Sequence, residues 1–167
     1  WDALLGAWQS GHAGPLGRPI SMVSFALNHY FAGFVPFYFK LTNVVIHLLN
    51  GLLVYLLAHL IALAMGQSSR PAGVGPMMAF MLAVAWVIHP IQMTSVLYVV
   101  QRMTSLSSMF MLIGLVLHIW ARQLRPFDKR GLGALIVAWG VAFPLALLSK
   151  ETGVLFVGYV FAYELFI

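Results

Sequence analysis

The sequence predicts an all-α integral membrane fold: a partial helical bundle of four spanning helices plus the start of a fifth, with an interfacial helix outside it. Three observations lead there. Apolar segments fill the chain from Leu41 to Ile167. Hydrophobic residues make up 62% of the chain and charged residues only 8%, against roughly 25% charged in a soluble domain, and mean hydropathy is +0.93. The charges stand where the apolar segments end, in two sets that alternate along the sequence, as they must if successive helices cross a bilayer in opposite directions.

Residues 1–40 read as a loop and interfacial helix, and residues 41–167 as the membrane bundle. Gly11 to Pro19 is a loop by its Gly and Pro content. Pro19 to Tyr30 suits a short helix with Pro at its first turn. The aromatics from Phe25 to Phe39 suit the interfacial belt. Leu41–Met65 is the first span, since at about 1.5 Å per residue it exceeds a hydrocarbon core of roughly 30 Å. Met77–Ile88 is short for a span, so it either starts earlier or continues past Pro90 with a kink. Met103–Ala121 is the third span and Leu132–Leu148 the fourth. Val154 to Ile167 begins a fifth, in which Glu164 has no evident reason. The ends, Trp1-Asp2 and an apolar run, lead us to expect a piece of a larger protein.

Loops 67–76 and 122–131 share one side, with Arg70, Arg122, Arg125, Lys129 and Arg130; the other side holds Arg18, Lys40, Arg102 and Lys150. The clustering in the second loop makes the first side cytoplasmic by the positive-inside rule. Cations on the other side gain nothing from that rule and invite a second explanation. Net charge is +5 without a basic stripe, so nucleic acid is not an expected partner, whereas lipid head groups and phosphate-bearing substrates are. There are no cysteines, which excludes disulfides and thiolate metal sites. His12, His29, His59 and His118 show no ligand spacing, so no metal site is expected in this stretch.

Arg102 stands at a helix start before Thr104, Ser105, Ser107 and Ser108. Helix N-termini and guanidinium groups both suit phosphate, but on chemistry alone an interfacial arginine snorkelling to lipid is the favoured reading. Lys150-Glu151 is either an exposed ion pair or a cation for phosphate beside a carboxylate for a sugar hydroxyl. His89 before Pro90 is either an ionisable group near the membrane with a function or a neutral ring bonded to backbone. Arg18 before Pro19 is a solvated loop residue or part of the same pocket. Lys40, Asn43, His47 and Asn50 form a helical stripe that suits interhelical packing more than ligand binding.

Taken in order, GRPISMVSFALN at 17–28, FKLTNVVIHLLN at 39–50, His89-Pro90, VVQRMTSLS at 99–107 and LSKE at 148–151 resemble the O-mannosyltransferase-like TMTC group and its bacterial relatives. These are membrane glycosyltransferases with tetratricopeptide repeats, and VVQRMTSLS looks more like the bacterial branch. The resemblance covers nearly the whole chain. It implies a GT-C-type bundle that moves a sugar from a polyprenyl-phosphate carrier to an acceptor hydroxyl on a protein or glycan. The chemistry would lie on the periplasmic or luminal side of a bacterial inner membrane or the endoplasmic reticulum. It implies carrier-phosphate and substrate roles for Arg18, His89, Arg102, Lys150 and Glu151. The acidic catalytic pair is expected upstream, since Asp2 falls after its place, so no catalytic carboxylate is expected in this stretch and no activity from it alone. No cofactor is evident beyond the lipid-linked donor, and metal dependence stays open. Two other readings compete: a transporter or flippase for a lipid-linked substrate, whose site should lie near mid-membrane on broken helices, and a non-catalytic scaffold.

Overall fold

A computed structural model describes residue 6 and residues 17–66, 74–124 and 128–167, and every regular element among them is helical. Asp2, Arg70 and Arg125 lie outside the described residues.

Helix α1 is Pro19–Ala32. Pro19 opens it, where a missing N–H leaves no bond unmade, and Gly33 at φ 60 ends it by donating to the His29 carbonyl. Helix α2 is Pro36–Ala64, so the first span begins inside the region expected to be loop and interfacial helix. Phe37, Tyr38 and Phe39 are its first turn, placed there because Pro36 again supplies a start.

Helix α3, Val74–Ile88, begins earlier than Met77 and also continues beyond Pro90, through a 3-10 turn into the short helix α4, Met93–Leu97. The two parts meet at 51°. The cause is local: Pro90 has no N–H for the turn before it, and the Ile91 N–H goes to His89 Nδ1 at 3.2 Å. That frees the Val87 carbonyl, which His47 Nε2 meets at 3.1 Å.

Helix α5 is Arg102–Gln123. Helix α6, Lys129–Val137, is capped by Asp128, which accepts from the Arg130 N–H. It runs through a π-helical turn, Ala138–Ala142, into α7, Phe143–Ser149. Pro144 explains the wide turn: its missing N–H leaves the ladder incomplete, and the Phe143 N–H reaches back five residues to Ala138. A 3-10 turn, Glu151–Val154, leads into α8, Leu155–Phe166.

Among the described residues three helices are long and apolar enough to cross a membrane, Pro36–Ala64, Val99–Gln123 and Lys129–Ser149, and the bent pair around Pro90 brings the number to four if its two parts are one span. Helix α8 contributes 12 residues. Large apolar side chains such as Phe31, Phe80, Ile136 and Phe161 face outward, as lipid contact requires.

Helix α5 is the centre, packed by α2, α6, α7 and α8. Leu115, Phe156 and Val160 form a buried cluster with Leu57, Met111 and Phe143 around it. Bare backbone permits the closest approaches: Gly51 admits Val87, and Gly114 admits the Phe156 ring. The polar stripe of α2 is a set of interhelical ties. Asn43 donates to the Tyr98 carbonyl at 3.1 Å, and Asn50 to the Ser105 carbonyl at 3.0 Å. His47 stacks on Trp86. Lys40 alone of that stripe stays exposed.

Candidate functional site

Antiparallel neighbours bring six helix ends together at one end of the bundle: the starts of α1, α2, α5 and α8, and the ends of α3 and α7. All five residues singled out from sequence belong to these ends. They do not form a single cluster.

Arg18 precedes α1 in the left-handed region, at φ 51 and ψ 47. Few non-glycine residues adopt it, at a cost of about 1–3 kcal/mol. The conformation delivers the guanidinium to Glu151. Nη2 donates to Oε2 at 3.0 Å and Nε to Oε2 at 3.2 Å, while Nη1 reaches the Met103 sulfur at 3.6 Å. The pair is partly exposed, at 25% and 33% for the two side chains. The Ser21 hydroxyl donates to the buried Ser149 carbonyl at 2.9 Å, tying α1 to the end of α7.

The Glu151 carboxyl is held below its ordinary value of 4.5 by its own backbone N–H, then by the Arg18 hydrogen bonds, with the Arg18 and Lys150 charges adding to them and desolvation opposing. A depressed folded value means that the stabilisation is complete above the unfolded value and is lost as pH falls through the folded one. We expect the thermal stability of the solubilised protein to fall below about pH 4.5 in a way that Glu151→Gln removes. Identical acid profiles for the two proteins would show that the pair contributes nothing.

Lys150 points elsewhere. With Glu151 engaged by Arg18, its Nζ donates to the Thr104 hydroxyl at 2.7 Å, and that hydroxyl donates to Gln101 Oε1 at 3.0 Å. No carboxylate pairs with Lys150 among the described residues, and its side chain is half-buried. An ammonium carries three donors, so one bond to a hydroxyl leaves it able to receive an anion. Ser107 sits beneath this point and donates to the Ala146 carbonyl at 3.0 Å, which fixes the end of α7 against α5.

Arg102 is in a different situation from the one its position suggests. It is fully buried. Nε donates to Asn43 Oδ1 at 3.0 Å, Nη1 to the Ser24 carbonyl at 3.3 Å and Nη2 to the Phe39 carbonyl at 2.8 Å. The Phe25 and Phe39 rings lie 4.7 Å and 5.5 Å from the guanidinium carbon, within cation–π range. Its donors therefore join α1, α2 and α5 rather than facing open space. His89 is exposed and its Nδ1 caps the turn after Pro90. No hydrogen bond joins it to Arg18, Lys150 or Glu151 among the described residues.

Sequence reasoning missed Gln101 and named Thr104 only as one hydroxyl of four. Their three-residue spacing at a helix start was the available signal, since i,i+3 side chains meet. Among the described residues no group of three or more His, Asp or Glu side chains is arranged to hold a metal ion.

The chain is similar to the protein O-mannosyl-transferase TMTC1 of Mus musculus, 28% identical over 158 residues, which is 89% of this chain and 15% of the mouse protein. It is 27% identical over 158 residues to the same protein of Homo sapiens, again over 89% of this chain and over 16% of the human one. The chain thus spans a small part of the length of these curated relatives. No family model matches it, and no solved structure does.

Proposed function

We propose that this chain forms the donor-binding end of a membrane glycosyltransferase that transfers a sugar, a mannose by its similarity to O-mannosyl-transferases, from a polyprenyl-phosphate carrier to a hydroxyl on a protein or glycan. The observation that carries this reading is the Lys150 ammonium. It stands at the end of the bundle beside Thr104 and Gln101, with the neighbouring carboxylate held by Arg18. The site end faces the periplasm or lumen in this reading, of a bacterial inner membrane or the endoplasmic reticulum, and the bundle is of GT-C type.

Breaking the bond between the anomeric carbon and the phosphate oxygen leaves the electron pair on the carrier phosphate. A cation placed there stabilises charge that grows toward the transition state, which accelerates the step rather than only binding substrate. Lys150 supplies that cation, and Thr104 fixes its direction. Arg18 and Glu151 are the ion pair beside it, His89 lies at the same end of the bundle without a bond to them, and Arg102 acts by joining α1, α2 and α5. In this reading the base that takes the acceptor proton is a carboxylate of the kind the resemblance implies, and none of the residues named here fills that role.

The full-length protein in liposomes, given polyprenyl-phosphate mannose and a hydroxyl acceptor, is expected to transfer mannose. Lys150→Met lowers turnover about 100-fold, the scale of losing one transition-state contact, at unchanged melting temperature. Movement of the lipid-linked donor between leaflets without transfer would replace this reading with a flippase, and full turnover by Lys150→Met would remove Lys150 from the site.

A further inference from the structure

Three arginines of the bundle are committed to partners. Arg18 pairs with Glu151, and Arg102 is held by Asn43 and two carbonyls. At the opposite end Glu164 of α8 accepts from Arg122 of α5, with Nε 2.8 Å from Oε1, and His118 Nε2 lies 3.0 Å from the same oxygen. Lys150 is anchored differently, by a chain of bonds that has a direction. An ammonium only donates, so the Thr104 oxygen accepts from Nζ at 2.7 Å. The Thr104 hydroxyl proton then goes to Gln101 Oε1 at 3.0 Å. This commits the oxygen of the Gln101 amide and leaves its Nε2, with two N–H groups, on the other arm.

That nitrogen is open. It makes no hydrogen bond among the described residues, and it is not one of the buried polar atoms left without a partner. Gln101, Thr104 and Lys150 are all half-buried, so the two free donor groups hang from one hydroxyl in a recess rather than from mobile surface chains. Glu151, the nearest carboxylate in sequence, is occupied by Arg18.

The backbone under Gln101 is fixed as well. Gln101 ends the 3-10 turn Val99–Gln101 and stands at the cap of α5. A cap side chain ordinarily accepts from the first helical N–H groups; Gln101 does not. Its own N–H donates to the Tyr98 carbonyl at 3.0 Å, and the same carbonyl accepts from Asn43 Nδ2 at 3.1 Å. Asn43 is fully buried, and its Oδ1 holds Arg102 Nε at 3.0 Å. The buried Arg102–Asn43 pair thus pins the turn from the α2 side, giving Gln101 the rigid support that a binding side chain requires.

We propose that Gln101 is a second ligand-binding residue, whose amide N–H groups hold one phosphate oxygen while Lys150 Nζ holds another. Lysine alone is a point charge on a flexible stem and does not orient an anion. A planar amide placed beside it, on the same hydroxyl, does. The identity of the ligand rests on the glycosyltransferase reading; the direction of the bonds does not.

The test is a double-mutant cycle on the affinity of the full-length protein for polyprenyl phosphate, with unphosphorylated polyprenol as control. Gln101→Met keeps the length of the side chain and loses the amide. It should bind the phosphate about fivefold more weakly, the loss of one neutral hydrogen bond, with polyprenol affinity and melting temperature unchanged. The same factor should appear when the change is made in Lys150→Met, because a direct contact does not act through the ammonium. Gln101→Glu keeps an acceptor for Thr104 but offers a charge in place of the donor, and should also bind the phosphate more weakly. If Gln101→Met folds poorly, this variant carries the test. Parent-like phosphate affinity of either variant, or a loss that vanishes in the Lys150→Met background, overturns the proposal. A loss in Lys150→Met with none at Gln101 leaves the glycosyltransferase reading standing without it. A parent protein that binds polyprenol as tightly as its phosphate sinks both.

Discussion

Arg102→Ala is expected to cost the protein its fold, not only a ligand contact. The change removes a fully buried guanidinium, leaves Asn43 Oδ1 without its donor, and breaks the cross-links to the Ser24 and Phe39 carbonyls at 3.3 and 2.8 Å, which keep only the N–H donors of their own helices. A buried acceptor left without a donor costs about 1–3 kcal/mol, and the two lost charge-assisted bonds bring the loss to about 4 kcal/mol, a large share of a typical folding free energy. No intermediate-length side chain replaces it. Arg102→Lys keeps the charge, but a point-like ammonium does not span three oxygens, so an intermediate loss is expected. Heating solubilised protein and following the remaining monodisperse fraction checks this: Arg102→Ala should melt well below the parent and Arg102→Lys between them. Parent-like melting of Arg102→Ala, with sugar transfer abolished, would return Arg102 to the phosphate site that its position in the sequence suggests.

The second large effect is expected at Gly153. A Cβ there would stand 2.5 Å from the Ala146 carbonyl carbon, 2.6 Å from the Leu147 nitrogen and 2.7 Å from the Ala146 oxygen. These are backbone atoms, and Ala146 is fully buried, so neither side can yield. Gly153→Val therefore forces the end of α7 away from the 151–154 turn. The Ser107 bond to Ala146 and the Ser21 bond to Ser149 would break with it, at a cost of about 3 kcal/mol, the upper range for overpacking. Lower thermal stability together with lost transfer is the expected outcome, and labelling at Thr152 should report a displaced turn. A valine variant with parent-like melting would mean that this approach is looser than the geometry shows.

These two positions show what the sequence could reveal and where it stopped. Helix α5 and the helix from α6 through α7 were legible within a few residues because apolar runs end at charges and prolines. The kink at Pro90 was legible because proline removes a specific hydrogen bond. The packing reading of Asn43, His47 and Asn50 holds because a polar stripe on a membrane helix must find partners. The start of α2 was misplaced because Phe37, Tyr38 and Phe39 suit both a membrane interface and a helix turn, and only the Pro36 signal separates them.

At the site, the common end of the bundle followed from alternating charges. The partners did not, because hydrogen bonds between residues as distant in sequence as Arg18 and Glu151, or Arg102 and Phe39, leave no periodic trace. Glu164 is explained only by two side chains of α5, one turn apart, and nothing near it in sequence announces them. Nothing near Gly153 in sequence marks it, and its reason is the backbone it touches.

The most direct test of the account is binding of polyprenyl phosphate, compared with unphosphorylated polyprenol, to the full-length protein and to Lys150→Met. A hydrogen bond from a charged donor contributes about 1.5–3 kcal/mol, so the variant should bind the phosphate at least about tenfold more weakly while its affinity for polyprenol stays the same. Equal affinity of both proteins for the phosphate would contradict the assignment of Lys150 to the carrier.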